Sequence, residues 1–185
     1  MLAIALIHYP VVNKNGETIG SAVTNLDIHD IARAARTFGA AAYFVVTPYA
    51  DQRRLVDEIT GHWRQGYGAS YNPARKDALS LVRVADDLAA VVKAMSDECG
   101  QPPFVVATSA KKNAASVSYQ ALRQKIAAGQ PTLLLFGTAH GLAPEVIAAA
   151  DALLPPIYGA SEYNHLSVRS AASIILDRLL GAARD

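Results

Sequence analysis

The feature that most constrains this chain is a pattern that recurs along it. A short apolar run stops at a turn residue, and an amphipathic stretch follows. The runs are Leu2 to His8, halted by Tyr9-Pro10, Ala41 to Val46 before Pro48, Leu81 to Val84, Phe104 to Ala107, Leu133 to Phe136 before Gly137, and Ala152 to Leu154 before Pro155-Pro156. Apart from His8 and Arg83 these runs are apolar at successive positions instead of alternating, so both of their faces need cover, as in a parallel sheet. Strands that alternate with helices then predict an α/β fold: one mainly parallel sheet flanked by helices. At 185 residues the chain fits a single domain, residues 1–185, better than two small ones.

The intervening segments supply the helices. Asp27 is placed to cap a helix carrying Ile28, Ile31, Ala32, Ala35 and Phe38 on one side, with Gly39 ending it. Further helices are predicted over Asp51 to Trp63, Asp86 to about Glu98, Ser116 to Ala128 and Ser167 to about Leu180. The stretch from Gln65 to Asp77 has no periodicity and reads as a long loop, a class of segment that often carries function.

Half the residues are apolar and 18% are charged, an ordinary balance for a soluble globular protein. A net charge of +1 excludes a surface coated in basic charge. It leaves room for one local basic face, drawn from Arg53, Arg54, Arg64, Arg75, Lys76, Arg83, Lys111 and Lys112. Cys99 stands alone, which rules out an intrachain disulfide or a thiolate metal cluster, and no histidine pair has metal-ligand spacing, so no metal is expected. The first apolar run is too short for a signal segment and no stretch reaches membrane-spanning length, so a cytoplasmic protein without a membrane partner is expected.

Three loops in the last third converge on one prediction. They are Gly137-Thr138-Ala139-His140-Gly141, Ile157-Tyr158-Gly159, and Tyr163 to Ser167 before the final helix. Each but the last follows a strand, and ligands in open α/β sheets bind at the carboxyl ends of strands.

In this order the loops resemble the cofactor-binding motifs of the SPOUT superfamily of RNA methyltransferases. Ile31-Ala32-Arg33-Ala34-Ala35-Arg36-Thr37-Phe38-Gly39 is similar to the helix of SpoU-type members that carries the motif-one arginine, here Arg33. Val106 to Lys111 resembles the strand-end segment flanking the cofactor, Gly137 to Leu142 the Gly-x-Glu-x-Gly-Leu loop, and Asn164 to Ala172 the closing motif. The resemblance covers nearly the whole chain and is nearest to a compact bacterial group without an added RNA-binding domain. Two positions depart from the pattern: Asp27 stands where an asparagine is usual, and Ala139 replaces the loop glutamate.

The resemblance implies a C-terminal trefoil knot over about residues 104–180, a homodimer with its active site at the subunit interface, and S-adenosylmethionine as cofactor. Methyl would pass to RNA, tRNA or rRNA. The implied cofactor residues are Thr108, Ser109, Leu135, Phe136, Gly137, Gly141, Ile157, Tyr158, Gly159, Leu166, Val168 and Ala171. Methyl transfer requires a positioned acceptor and a route for its proton. Arg33 would orient an RNA phosphate or lower the acceptor's pKa, and His140 is a candidate base. Tyr67, Tyr71, Arg75 and Lys76 supply stacking surfaces and cations for RNA. With Ala139 in place of glutamate, a second reading is a non-catalytic RNA-binding protein that keeps the fold.

Overall fold

A computed structural model describes residues 1–111 and 116–182. The chain opens with β1 (Leu2–Ile7), a two-stranded hairpin β2 (Val11–Val12) and β3 (Thr18–Ile19), helix α1 (Asn25–Thr37) and β4 (Ala42–Val46). Three helices follow, α2 (Ala50–Arg64), α3 (Tyr67–Tyr71) and α4 (Pro73–Leu79), and then β5 (Val82–Ala85) and α5 (Leu88–Cys99). The remainder is β6 (Phe104–Ala107), α6 (Tyr119–Ala127), β7 (Thr132–Gly137), α7 (Pro144–Ala149), β8 (Ala152–Leu153) and α8 (Val168–Leu180). Lys112, one of the basic residues noted in the sequence, lies outside the described residues.

Six strands form one sheet in the order β5-β4-β1-β7-β6-β8, every pair parallel. The strand alternation divides the core into two. Leu2, Ile4, Leu6, Leu134 and Phe136 face a layer made of α1, α2, α4, α6 and α8. Ala3, Ala5, Ile7, Leu133 and Leu135 face α5, α7 and the hairpin. Both faces of the central strands are covered, which is why their sequence is apolar at successive positions. The chain leaves β1 toward β4 on one side and later fills the other side with β7, β6 and β8. The direction of winding therefore reverses between β1 and β7, where a crevice opens at the strand ends.

Several local expectations are corrected. Thr24, not Asp27, is the cap of α1: its hydroxyl accepts from the Asp27 amide at 3.2 Å and donates to the Asp27 carboxylate at 2.7 Å. Gly39 does follow the helix end, with φ +76°. The stretch Gln65 to Asp77 is not a loop but holds α3 and most of α4. Asn72 caps α4 through a 3.0 Å bond from the Arg75 amide, and Pro73 occupies its first turn. The Arg64 guanidinium donates to the carbonyls of Leu79 and Ser80 and fastens the end of α2 to the end of α4. Elements this short carry no readable period, so contacts made elsewhere in the fold decide them. The helix expected from Asp86 starts at Leu88 behind an Asp87 cap, and the one expected from Ser116 starts at Tyr119 behind Ser118. The hairpin and α7 were not foreseen in the sequence.

Candidate active site

The carboxyl ends of β6, β7 and β8 lie side by side, and hydrogen bonds tie the loops after β6 and β8 to each other and to the neighbouring strands. The Thr108 amide and hydroxyl both donate to the Leu135 carbonyl, at 3.1 and 2.8 Å. The Leu154 amide donates to Ala107 at 3.0 Å, and the Asn164 side chain donates to the Ala110 carbonyl at 2.8 Å. Segments 108–111 and 154–167 are thus bonded together, and 137–142, which leaves the adjoining β7, completes a rim at the same strand ends. The adjoining start of α8 is capped by Ser167, whose hydroxyl accepts from the Ser170 amide at 3.2 Å.

The loop after β7 is bent sharply. A Cβ on Gly137 would meet the Leu142 amide and stand 2.7 Å from the Gly141 carbonyl carbon, so glycine permits the loop to fold back on its own backbone. Gly141 has φ +111°, and Ala139 has φ +51°, a conformation that costs a residue with a Cβ about 1–2 kcal/mol. Three backbone bonds hold this shape: His140 to Val12, Val12 to Gly141, and Gly141 to Thr138, all 2.9–3.0 Å. The hairpin absent from the sequence reading therefore braces the loop. Strain held by such bracing is common at binding sites.

The expected cofactor residues separate into two groups. Leu135 and Phe136 are buried in the sheet, and Ile157 and Val168 are half-buried against the core. Thr108, Ser109, Gly137, Gly141 and Ala171 are half-buried, while Tyr158, Gly159 and Leu166 are exposed on the rim. Among the described residues, the backbone groups of Ile157, Tyr158, Gly159 and Leu166 make no hydrogen bond within the chain. These are donors and acceptors available to the edge of a ligand. His140 is exposed on the same rim.

Beside the rim, at the crevice between β1 and β7, His8 is fully buried. Its Nδ1 lies 3.1 Å from the Ser21 hydroxyl, which is hydrogen-bonded in turn to Thr138. Burial lowers the His8 pKa, against opposing effects from Asp27 and the backbone of Ser21 and Ala22. Asp27 is buried too, and pairs with Arg169 of α8 at 3.2 Å; Arg169 also reaches Asp30 at 3.5 Å. Where the family pattern has an asparagine, Asp27 thus locks α1 to α8. Arg169 and Ser21 were missed in the sequence because their partners lie far away along the chain.

Arg33 is not part of this rim. It lies eight residues into α1, roughly 12 Å along the helix from Asn25. There it lines a groove of about 560 Å³ between α1 and α2, together with His29, His62, Trp63 and Arg75. None of the expected cofactor residues lines that groove. Arg75 packs over the Trp63 ring at 4.6 Å, and Tyr67 and Tyr71 stack on α3 nearby with centroids 6.0 Å apart. Of the four expected RNA residues, Arg75 covers the tryptophan, Tyr67 and Tyr71 stack on each other, and Lys76 is exposed on α4 next to Arg75.

A family profile described as SAM-dependent RNA methyltransferase matches residues 1–181. The chain belongs to this family. It is 48% identical over 182 residues to a protein of Oleidesulfovibrio alaskensis named tRNA (guanine-N(1)-)-methyltransferase, a match covering 98% of this chain and 42% of that protein. A similarly named relative from Nitratidesulfovibrio vulgaris has the same 42% coverage, so the chain spans less than half the length of these two curated relatives. A protein of unassigned function from Aquifex aeolicus is 40% identical, with 98% of this chain and 89% of that protein covered. Among solved structures, the fold is similar to the SpoU methyltransferase AviRb from Streptomyces viridochromogenes in complex with AdoMet. That match has a TM-score of 0.60 and 19% identity, over 96% of this chain and 56% of the other. TrmH/SpoU tRNA modifying enzyme from Aquifex aeolicus gives a TM-score of 0.56 and 19% identity, over 97% and 73%. The SPOUT fold expected from the motifs is the fold observed. Among the described residues no helix is long and apolar enough to cross a membrane.

Proposed function

We propose that this chain, acting as one unit over residues 1–185, transfers the methyl group of S-adenosylmethionine to tRNA in the cytoplasm. The observation that carries the reading is the gathering of three loops at the adjoining carboxyl ends of β6, β7 and β8, in a chain of this family. The residues present fit the cofactor. Ile157, Leu166 and Ala171 offer an apolar slot edged by backbone groups that bond to no described residue, and glycine at 137 lets the loop after β7 fold back on itself beside it. When bound, the cofactor supplies an electrophilic methyl carbon on a sulfonium.

The chain's own residues then have three tasks. The rim backbone orients the adenine edge, and the buried ends of β6 and β7 keep water from its apolar side. His140, exposed on the rim, accepts the proton that the acceptor atom loses. Arg33 holds an RNA phosphate, a role that suits its place in the groove better than proton chemistry at the rim. Because Arg33 lies well away from its own rim, we propose a homodimer in which each subunit's Arg33 serves RNA entering its partner's site. The trefoil knot belongs to the same proposal; its support is that β8 and the segment after it bond to the connection between β6 and α6, through Ser116 to Leu153 and Asn164 to Ala110. The substrate is taken from the relatives' name. The guanine N1 position in that name describes proteins more than twice as long as the matched region, so the acceptor atom is not carried over.

Calorimetry with S-adenosylmethionine tests the reading. Saturable one-site binding to the purified protein is the expected result, and no heat at millimolar cofactor would overturn it.

A further inference from the structure

The groove between α1 and α2 contains charges that do not cancel. Its two carboxylates are both committed to arginines outside it: Asp30 to Arg169 at 3.5 Å and Glu58 to Arg54 at 3.7 Å. Arg33 and Arg75 have no carboxylate within ion-pair distance among the described residues. The groove therefore presents two guanidiniums without an ion-pair partner among the described residues. Two of its polar atoms, His29 Nδ1 and Arg75 Nε, are buried and have no hydrogen-bond partner among the described residues. Buried polar atoms of this kind are rare in native structures unless a ligand or water completes them. His29 is held neutral-leaning: burial, Arg75 and Arg33 lower its pKa, and Asp30 opposes them. Both guanidiniums thus lie close enough to act on one imidazole.

The aromatic arrangement points the same way. Trp63 is edged by His29 and His62, with centroids 5.5 and 5.2 Å away, and Arg75 covers its face at 4.6 Å. Tyr67 and Tyr71, stacked within 24° of parallel, are 77% and 74% exposed. Large aromatics left open to solvent on α3, the helix that follows α2, together with unpaired arginines in the groove suit a chain of phosphates carrying flat bases. Charge complementarity selects an anion, and the exposed stacked pair selects one that bears rings.

We propose that the α1–α2 groove is a track for single-stranded RNA, with Arg33 and Arg75 holding backbone phosphates, His29 completing one of those contacts, and Tyr67 and Tyr71 stacking bases at the exit. The proposal rests on the RNA-methyltransferase reading. It assigns to this domain its own means of gripping substrate, apart from the loops that hold the cofactor.

Trp63 is the single tryptophan of the chain, so its emission reports on the groove alone. The test titrates a short unstructured oligouridylate into the whole protein and follows that emission at several salt concentrations. RNA should change the emission saturably, with an affinity that falls as salt rises. Arg75→Gln should weaken binding about tenfold and make the log–log salt slope shallower by about 0.7, the value for one phosphate of a single strand. Arg33→Gln, at an exposed helix position, should do the same and guards against an Arg75 variant that merely disturbs Trp63. Lys93→Gln, on α5 across the sheet, should change nothing.

Emission that ignores RNA, or arginine variants with unchanged affinity and slope, would overturn the proposal. An equal response to inorganic phosphate alone would make the groove a free-phosphate site, and a response to protein concentration without RNA would make it a contact between copies. Either result also overturns it. Calorimetry with S-adenosylmethionine on the same samples separates this proposal from the functional one. Cofactor binding without an RNA response rejects only the track, and an RNA response without cofactor binding rejects only the methyltransferase reading.

Discussion

The loop rim and the α1–α2 groove are built on opposite principles. The rim is made of backbone: glycines, a left-handed alanine, short strand ends and bonds between main-chain groups. The groove is made of side chains from three helices: two histidines and Arg75 contact its tryptophan, and Arg33 lines it with them. A backbone site tolerates little change in chain path but is indifferent to charge. A side-chain site depends on charge and tolerates changes in path. The difference suits the proposed division, with a small, constant ligand at the rim and a variable, anionic polymer in the groove.

Variants can break or sharpen this division. The largest effect is expected from Arg33→Ala, which should lower turnover at saturating cofactor by about a hundredfold, close to 3 kcal/mol in barrier. Cofactor affinity measured by calorimetry should stay within about twofold; equal loss of both would place Arg33 in the rim after all. Gly137→Val should do the reverse. Its side chain must displace the Gly141–Leu142 backbone, and cofactor affinity should fall about thirtyfold, or some 2 kcal/mol, while RNA binding at Trp63 persists. Unchanged cofactor affinity would remove the loop from the site.

The two regions are joined by the pair Asp27–Arg169, whose side chains are 11% and 31% exposed. Arg169→Ala leaves a mostly buried carboxylate without its partner and should cost about 2 kcal/mol, seen as a melting temperature lower by roughly 4–8 °C. No shift in melting would show that α1 and α8 are held together by apolar packing alone. A smaller effect belongs to Tyr67→Ala, which should weaken oligouridylate binding a few-fold, about 1 kcal/mol, with melting unchanged. Unaltered RNA affinity would confine the track to the arginines.

The smallest effect concerns pH. His8 has its pKa lowered in the folded state, so the unfolded chain binds the extra proton first. Stability contributed by the neutral, buried ring is fully present above the unfolded value of about 6.5 and declines as pH falls from there toward the lowered folded value. His8→Asn keeps a group beside Ser21 and should flatten the dependence of melting temperature on pH below neutrality. A variant as pH-sensitive as the parent would assign that dependence to other groups.

The sequence was legible where structure is decided locally. Leu2–Ile7, Ala42–Val46 and Thr132–Gly137 are apolar at successive positions because both faces are buried, and that is visible in the letters. Gly137 and Gly141 marked the loop for the same reason. Where structure depends on distant partners, the sequence was silent or misleading. Gln65 to Asp77 looks aperiodic because α3 and α4 are only five and seven residues long and are fixed by Trp63 and Arg64. Asp27 resembled a cap, yet its carboxylate is directed at Arg169, 142 residues away. His29, His62 and Trp63 read as ordinary helix residues, and only the packing of α1 against α2 and α4 makes them a groove.

The central claim is that the rim delivers a methyl group and the groove delivers RNA. It is tested most directly by incubating the purified protein with methyl-labelled S-adenosylmethionine and tRNA from a strain lacking the gene, followed by nucleoside mass spectrometry. The account predicts one labelled nucleoside that appears with the wild-type protein and disappears with either Arg33→Ala or Gly137→Val. RNA that binds at Trp63 but never acquires label, across both tRNA and rRNA from that strain, would contradict it and leave a non-catalytic RNA-binding protein.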